Sequence, residues 1–229
     1  TPFNEDYSVD WEGFRTLLEF HAAHGTRAVL IMGSTGEASM LAPEEKKEII
    51  SKTLAMRTGK MELWYGCTGA HTDATLSTVR HASAEDADGI VVTIPSYVVP
   101  PEADSIDYFL EVADAATVPV GVYNNPTRVK TDLSAEAMIK IASHENIVLL
   151  KEATSRGNQI AQIARAGQHL SIMCCDSPNL GLVMQVMSLG GHGTANMSGN
   201  IIPEEMATIS VPWRDFGQVE AFRETYLRV

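Results

Sequence analysis

The sequence is poor in cysteine. Only three occur in 229 residues, at Cys67, Cys174 and Cys175, and the last two are adjacent, which places them badly for a bridge between them. Small secreted domains depend on dense, well-spaced disulfides, whereas reducing compartments keep thiols reduced. The cysteine content therefore favours a reducing compartment, the cytoplasm, over a secreted disulfide scaffold.

Basic charge is also scarce. Lysine and arginine total 17 against 29 aspartate and glutamate residues, which gives a formal net charge of −12. The basic residues are scattered, so no basic patch is available to attract a phosphate backbone or an anionic lipid surface. No apolar run approaches the length of a membrane span, and no signal peptide is visible. We expect neither nucleic acid nor membrane partners.

Two further absences concern cofactors. No Gly-x-Gly-x-x-Gly sequence follows the first predicted strand, and no lysine follows the second glycine of GSTGE, as it does in a P-loop. His71, His81 and His192 lack metal-ligand spacing relative to cysteine or acidic residues. The pair Cys174-Cys175 is interpreted as strand packing rather than as a zinc or redox site. We therefore predict no metal and no nucleotide cofactor.

What the sequence does contain is a regular alternation of short β-branched runs with longer segments of helical periodicity. The predicted strands are TRAVLIMG from Thr26, MELWYGC from Met61, GIVVTIP from Gly89, VPVGVYNN from Val118, IVLLKEA from Ile147, LSIMCC from Leu170 and GHGTAN from Gly191. Helices are predicted between them, for example in the segment DWEGFRTLLEFHAAHG and in segments that begin at Pro43 and Pro203. This alternation predicts an α/β fold with a parallel sheet covered by helices.

Two parallel architectures fit this pattern, a doubly wound sheet and a closed barrel. The missing dinucleotide fingerprint favours the barrel, and a (β/α)₈ barrel typically needs ~250 residues. Seven strands are visible, so we expect an eighth strand before Thr1. The chain begins without methionine and stops inside the helical pattern AFRETYLRV, so we expect it to be part of a longer protein.

Lys151 is the most informative single residue, because it ends the apolar strand pattern IVLLKEA. A strand-end lysine often reaches solvent or pairs with a neighbour, here Glu152. In a barrel, however, the carboxyl ends of the strands form the active-site rim. An amine rooted there is partly desolvated, which favours the neutral form, the nucleophile that condenses with a ketone.

Three other strand ends contribute polar residues to the same rim, namely Gly33-Ser34-Thr35-Gly36-Glu37, Thr93-Ile94-Pro95-Ser96-Tyr97 and Tyr123-Asn124-Asn125-Pro126. The sequence GSTGE predicts a helix start with Ser34 and Glu37 in a capping box, and it also offers N–H groups and hydroxyls suited to a small carboxylate. Tyr123 is either a core aromatic or a rim phenol that passes protons. Arg128 is either a solvated loop charge or a clamp for a second carboxylate.

The motifs GSTGEASML, GVYNNPTR, VLLKEAT and LGGHGTAN occur in the order seen in a known family. The chain resembles the dihydrodipicolinate synthase and N-acetylneuraminate lyase family of class I, pyruvate-dependent aldolases. The resemblance implies a (β/α)₈ TIM barrel over residues 1–214, with the first strand largely missing. It also implies that residues 215–229 begin a C-terminal helical region that is truncated here.

The resemblance assigns roles position by position. Lys151 matches the Schiff-base lysine, Tyr123 and Ser34 match members of a proton relay, and Tyr97 matches a tyrosine supplied by a neighbouring subunit. The positions matched to substrate binding are Thr35, Gly36, Arg128 and Ala195. A homo-oligomer, dimer or tetramer, is therefore implied. Its partners are a 2-oxo acid and an aldehyde, and the covalent imine with Lys151 needs no separate cofactor.

The motifs YNNPTR and KEAT favour a synthase that joins pyruvate to aspartate semialdehyde. Four departures from the synthases lie near the expected pocket. They are Lys130 in place of glycine, Ser96 in place of tyrosine, the Cys174-Cys175 pair in place of Ser-Gly, and His71 with Thr75 in place of two residues that help to bind inhibitory lysine. The last departure argues against feedback by lysine. Sugar-acid aldolases, hydratase-aldolases and keto-acid dehydratases stay as alternatives, as does a barrel that binds a 2-oxo acid without turnover.

Overall fold

The computed structural model describes residues 1–154, 156–166, 169–175 and 181–229. These ranges contain one parallel sheet surrounded by helices. Its strands are β1 (Ala28–Ile31), β2 (Glu62–Gly66), β3 (Gly89–Val92), β4 (Val120–Asn124), β5 (Ile147–Glu152), β6 (Ser171–Cys174) and β7 (Gly193–Thr194). Each lies within one of the seven runs predicted from the sequence, so that prediction is confirmed.

The α-helices are α1 (Trp11–Ala23), α2 (Pro43–Ala55), α3 (Thr72–Ala84), α4 (Glu102–Ala115), α5 (Pro126–Val129), α6 (Ala135–Ile141), α7 (Gly157–Ala166), α8 (Gly181–Ser188), α9 (Pro203–Ile209) and α10 (Phe216–Tyr226). Two single 3₁₀ turns cover Ala38–Met40 and Ser198–Asn200. The proline starts predicted at Pro43 and Pro203 are confirmed, since each is the first residue of its helix.

Helix α1 shows how local sequence sets these boundaries. Asp10 precedes it with extended backbone, and its carboxylate accepts a hydrogen bond of 2.9 Å from the Gly13 N–H. This satisfies one of the donors that a helix start leaves unpaired. Gly25, just beyond the helix, has φ +70°, a left-handed conformation that costs glycine little. The helix stop predicted at Gly25 is therefore confirmed to within two residues.

The order of the strands decides between the two predicted architectures. The strands pair in chain order from β1 to β7, and every pair is parallel. A doubly wound sheet reverses its strand order at a switch point, and no reversal occurs within the described sheet. The sheet is therefore of the barrel kind.

The two faces of the sheet bury different clusters, which shows how the sheet curls. The outer face packs on the helices through residues such as Ile90, Val92 and Val122. A smaller inner cluster comprises Val91, Tyr123, Ala153 and Cys175, with Leu30 and Trp64 packed against it. Because these residues come from β1 to β4 and from the segments that follow β5 and β6, the inner face must curve around a common centre. Neighbouring residues alternate between the two faces.

Residues 33–43 correct one prediction. Ser34 and Glu37 do not form a capping box. Instead the Glu37 N–H donates to the Ser34 carbonyl across 3.2 Å in a turn, and Glu37 has φ +59° without a side-chain cap bond. A left-handed residue cannot continue an α-helix, so only a 3₁₀ turn follows and α2 begins later, at Pro43.

The C-terminal helices pack onto the rest of the fold. Phe222 of α10 is 3% exposed and belongs to the outer core, and its ring centroid lies 5.0 Å from that of Trp213. The boundary between residues 214 and 215, the truncated helical region and the eighth strand before Thr1 stay predictions. No helix in the described ranges is long and apolar enough to cross a membrane.

Candidate active site

The carboxyl ends of β4 and β5 bring the two central residues together. Tyr123 and Lys151 are direct partners in the register of these neighbouring strands, and Asn124 and Glu152 are the next pair. Parallel strands in register end at the same edge of the sheet. A lysine and a tyrosine that are 28 positions apart in the sequence are thus placed side by side at the rim.

Lys151 is enclosed although it carries an amine. Its side chain is 9% exposed, and Nζ lies 4.3 Å from the centroid of the Tyr123 ring. Val91 and Ala153 belong to the same inner cluster as the tyrosine, so the surroundings are largely apolar. The face of an aromatic ring attracts a cationic amine. The structure therefore supplies a held, mostly desolvated lysine at a strand end.

The Tyr123 hydroxyl has two polar neighbours. It accepts a hydrogen bond of 2.5 Å from Asn125 Nδ2 and donates to Cys175 Sγ at 3.8 Å. Burial raises the pKa of Tyr123 to about 12, and the nearby Cys175 adds to the rise, while the charge of Arg128 opposes it. The phenol is therefore protonated at neutral pH and is positioned to donate or accept a proton.

Asn125 connects the tyrosine to the short helix α5. Its side-chain oxygen accepts a hydrogen bond of 3.2 Å from the Arg128 N–H, so its amide serves both neighbours. Arg128 itself is exposed. Lys130 ends α5 with φ +62°, a left-handed conformation for which glycine is the usual residue. The sequence has lysine there.

The turn of residues 34–37 presents backbone donors. Ser34 and Thr35 are exposed, and within the described ranges the N–H groups of Thr35 and Gly36 make no hydrogen bond to protein. Successive unpaired N–H groups of this kind suit an anion. The Tyr123 hydroxyl, however, bonds Asn125 and Cys175, not Ser34, among the residues the structure describes.

Tyr97 lies apart from the lysine–tyrosine pair, whereas Ala195 is attached to β6, the strand next to the one that carries Lys151. The Tyr97 side chain is 96% exposed, with φ +83°, so it does not line the inner wall of its own chain. Ala195 follows β7 and donates its N–H to the Cys174 carbonyl over 2.9 Å. It is therefore attached to the end of β6, two strands away from Tyr123.

Sequence reasoning missed two residues at this site and one contact of a third. Asn125 was not assigned a role. Cys175 was assigned to packing with Cys174 near the expected pocket, and both are buried in hydrophobic clusters; the contact of the Cys175 thiol with the Tyr123 hydroxyl was not predicted. Glu152 was considered only as a partner for Lys151. Its carboxylate is fully buried and accepts bonds from two backbone N–H groups and from Asn124.

No group of three or more histidine, cysteine, aspartate or glutamate side chains in the described ranges is arranged to hold a metal ion. All three cysteines lie in those ranges and occur outside any disulfide. The hydroxyl of Tyr123, whose ring lies beside the lysine, is flanked by the Cys175 thiol and the Asn125 amide.

These features define an α/β fold with a curled, seven-stranded parallel sheet and an enclosed strand-end lysine beside a protonated tyrosine. The dihydrodipicolinate synthetase family matches residues 1–229, and the chain belongs to that family, whose members are class I aldolases and related lyases. The family resemblance inferred from the sequence motifs is thereby confirmed.

Several relatives carry the same name. A protein of Aquifex aeolicus named 4-hydroxy-tetrahydrodipicolinate synthase is 34% identical over 208 residues, which cover 90% of this chain and 69% of the relative. One of Caldicellulosiruptor bescii with the same name is 31% identical over 229 residues, 100% of this chain and 76% of the relative.

Solved structures agree with this family. A crystal structure of dihydrodipicolinate synthase from Aquifex aeolicus superposes with a TM-score of 0.90 and 32% identity, covering 100% of this chain and 77% of its own. YagE, a prophage protein of the family from E. coli K12 solved in complex with pyruvate, gives a TM-score of 0.87 with 28% identity, over 98% of this chain and 76% of its own.

Proposed function

We propose that this protein condenses pyruvate, or another 2-oxo acid, with an aldehyde through an imine formed on Lys151. The observation that carries the proposal is the placement of the buried lysine, with Nζ 4.3 Å from the centroid of the Tyr123 ring. Binding a carboxylate requires neither a strand-end amine nor an adjacent phenol. Imine formation requires a nucleophilic amine and a group that moves protons.

In the first half-reaction, the Lys151 amine attacks the C2 carbonyl carbon of the 2-oxo acid and forms a carbinolamine. Tyr123 gives a proton to the departing hydroxyl, so water leaves and a protonated imine remains. The imine then loses a proton from C3 to give an enamine, and the positive imine nitrogen accepts the electron pair. The covalent imine replaces a separate cofactor.

The remaining relay and binding roles follow the family resemblance. Ser34 and Tyr97 complete the proton relay, while Thr35, Gly36 and Ala195 hold the 2-oxo acid. The unpaired N–H groups of Thr35 and Gly36 support this role for the turn. The 96% exposure of Tyr97 supports its use by a neighbouring subunit, so we propose a homo-oligomer, dimer or tetramer. The low cysteine content supports a cytoplasmic location.

In the second half-reaction, the enamine carbon attacks the aldehyde, and hydrolysis of the imine releases the product and restores Lys151. We propose aspartate semialdehyde as the aldehyde, since relatives with 31–34% identity are named 4-hydroxy-tetrahydrodipicolinate synthase. Its carboxylate would pair with the exposed Arg128. This reaction is a 4-hydroxy-tetrahydrodipicolinate synthase activity.

The second candidate is a sugar-acid aldolase, hydratase-aldolase or keto-acid dehydratase of the same family. It is supported by two side chains near the pocket, the exposed Lys130 beside Arg128 and the thiol of Cys175 beside Tyr123. Both alter the surface that meets the aldehyde while leaving Lys151 unchanged. A barrel that binds a 2-oxo acid without turnover is the third possibility.

The substrate proposal is tested by comparing Arg128→Ala with Arg80→Ala, an exposed arginine on α3. Loss of a charge-assisted hydrogen bond costs about 1.5–3 kcal/mol, so kcat/KM for aspartate semialdehyde should fall about 10- to 150-fold in Arg128→Ala. The KM for pyruvate should stay close to the wild-type value, and Arg80→Ala should behave as wild type. Equal kinetics in both variants would remove Arg128 from the site. Turnover only with 2-keto-3-deoxy sugar acids would favour the second candidate.

A further inference from the structure

Glu152 is a buried acid that the proposed chemistry does not use. It ends β5 directly after Lys151, and its side chain is 0% exposed. Adjacent residues of a strand point to opposite faces, so the carboxylate lies on the helix side of the sheet while the lysine belongs to the inner side. Burying a carboxyl group is costly unless hydrogen bonds compensate. The hydrogen-bond partners of Glu152 therefore indicate the role of this buried acid.

One oxygen of Glu152 holds the end of its own strand and the end of the next strand. Glu152 Oε1 accepts hydrogen bonds from the Ala153 N–H at 2.9 Å, the Thr154 N–H at 2.7 Å and Asn124 Nδ2 at 2.9 Å. The other oxygen accepts from Gln159 Nε2 of α7 at 3.4 Å. The carboxylate therefore connects β5, the chain that follows it, β4 and helix α7.

Asn124 extends this connection to the loop after β4. Its Nδ2 also donates to Asp132 Oδ1 at 3.0 Å, and its side-chain oxygen accepts from the Leu133 N–H at 3.4 Å. Asn124 is the residue after Tyr123 and the register partner of Glu152. The Asn124–Glu152 pair thus lies directly beside the Tyr123–Lys151 pair, on the opposite face.

Asp132 closes the network. Its Oδ2 lies 2.8 Å from Arg156 Nε and accepts a hydrogen bond from Thr154 Oγ1 at 3.3 Å. Arg156 also donates to the Leu133 carbonyl at 2.9 Å. Asp132 and Arg156 therefore connect the loop that follows β4 to the loop that follows β5. Together with the bonds of Glu152, these contacts leave the ends of the two strands little freedom to slide or separate.

We propose that Glu152 is a positioning residue for the imine chemistry: it fixes the ends of β4 and β5 so that the Lys151 amine and Tyr123 stay in reacting geometry. This inference rests on the proposed function of Lys151. Glu152 acts through the backbone of its neighbours and touches no reacting atom. A misplacement of about 1 Å at a reacting pair can cost about 100-fold in rate.

The test measures imine formation directly. Wild type, Glu152→Gln and Glu152→Ala are mixed with a series of pyruvate concentrations up to saturation and quenched with borohydride at increasing times, and the Lys151 adduct is measured by peptide mass spectrometry. Glu145→Gln, an exposed acid just before β5, is the matched control. The alanine variant loses all four hydrogen bonds. Glutamine keeps an oxygen in place of Oε1 but presents N–H groups to the Gln159 amide.

We expect the rate constant for imine formation to fall at least tenfold in Glu152→Ala and by a smaller factor in Glu152→Gln. The pyruvate concentration for half-maximal rate should change less than threefold, because the turn of residues 34–37 is not part of this network. Glu145→Gln should match wild type. Circular dichroism at the assay temperature identifies folded variants, and Asp132→Asn tests the same network with Glu152 retained if the alanine variant does not fold.

Folded Glu152 variants with a wild-type rate constant would overturn the inference, as would a rate loss seen equally in Glu145→Gln. A rise in the half-maximal pyruvate concentration without a change in the rate constant would also overturn it, because that result indicates a binding role. An absence of the Lys151 adduct in wild type would instead overturn the proposed function on which the inference rests.

Discussion

The pH dependence of stability should carry a component from Glu152 that one substitution can isolate. Burial raises the pKa of the Glu152 carboxyl from its ordinary value of 4.5 to about 7; its hydrogen bonds from Thr154, Asn124 and Ala153 oppose the rise, and the charge of Asp132 adds to it. The folded protein therefore holds a proton in a pH range where the unfolded chain has lost it.

The sign follows from proton linkage. Since the folded state binds the extra proton between about pH 4.5 and pH 7, stability falls as pH rises through that range. The stabilisation is complete below the unfolded pKa and is lost above the folded one. A difference of about 2.5 pKa units corresponds to about 3 kcal/mol in total. Between pH 5.5 and pH 8.5 the expected loss of this stabilisation is about 2 kcal/mol.

The assay is urea unfolding of wild type and Glu152→Gln at pH 5.5, 6.5, 7.5 and 8.5. Salt is held at ~0.1 M and the protein concentration is kept the same in every measurement. Glutamine does not titrate, whereas all other groups are common to both proteins and cancel in the difference. The wild-type free energy of unfolding minus that of the variant should fall by about 2 kcal/mol from the lowest pH to the highest. A constant difference would refute the raised pKa, and a difference that rises with pH would show that the hydrogen bonds outweigh burial.

Two substitutions test the rest of the site. Tyr123→Phe should slow imine formation about 100- to 10,000-fold in the borohydride assay, because it removes the proton-transfer group. It should also lower the free energy of unfolding by about 1–3 kcal/mol, because the buried Asn125 amide loses its acceptor. Unchanged trapping kinetics would exclude the hydroxyl from the reaction. Gly66→Ala places a Cβ against the Met32 carbonyl oxygen, with the carbonyl carbon at 2.8 Å, so the turn that begins at Gly33 must shift. We expect the KM for pyruvate to rise at least about tenfold and stability to fall by about 1–3 kcal/mol. A Cβ at Gly33 comes no closer than 3.8 Å to any atom beyond its two chain neighbours, so Gly33→Ala should unfold as wild type. Equal KM values for wild type and Gly66→Ala would show that the contact at Gly66 does not shape the turn.

Sequence pattern predicts the parts of this structure that depend on periodicity. The strands of a parallel sheet are buried on both faces, so they appear as short apolar runs, and all seven were found in this way. The neighbouring positions of Tyr123 and Lys151 follow as well, because consecutive strands of a barrel are adjacent and both residues lie near strand ends.

Other features depend on side-chain conformation and register, which periodicity does not encode. The contact of Cys175 with the Tyr123 hydroxyl requires Cys175, the first residue after β6, to face the inner side of the sheet. The capping-box prediction failed because Ser-x-x-Glu also fits a turn, and the left-handed backbone at Glu37 selected the turn. An alternation of inward and outward residues in KEAT could have indicated that Glu152 faces away from Lys151.

The most direct test of the central claim is to locate the covalent adduct. The full-length protein is incubated with pyruvate, reduced with borohydride, digested and analysed by peptide mass spectrometry, with Lys151→Arg as the matched control. We predict one pyruvate-derived adduct per chain, on Lys151, and none in Lys151→Arg. A folded wild-type protein without an adduct, or an adduct on another lysine that persists in Lys151→Arg, would contradict the assignment of Lys151 as the imine-forming residue.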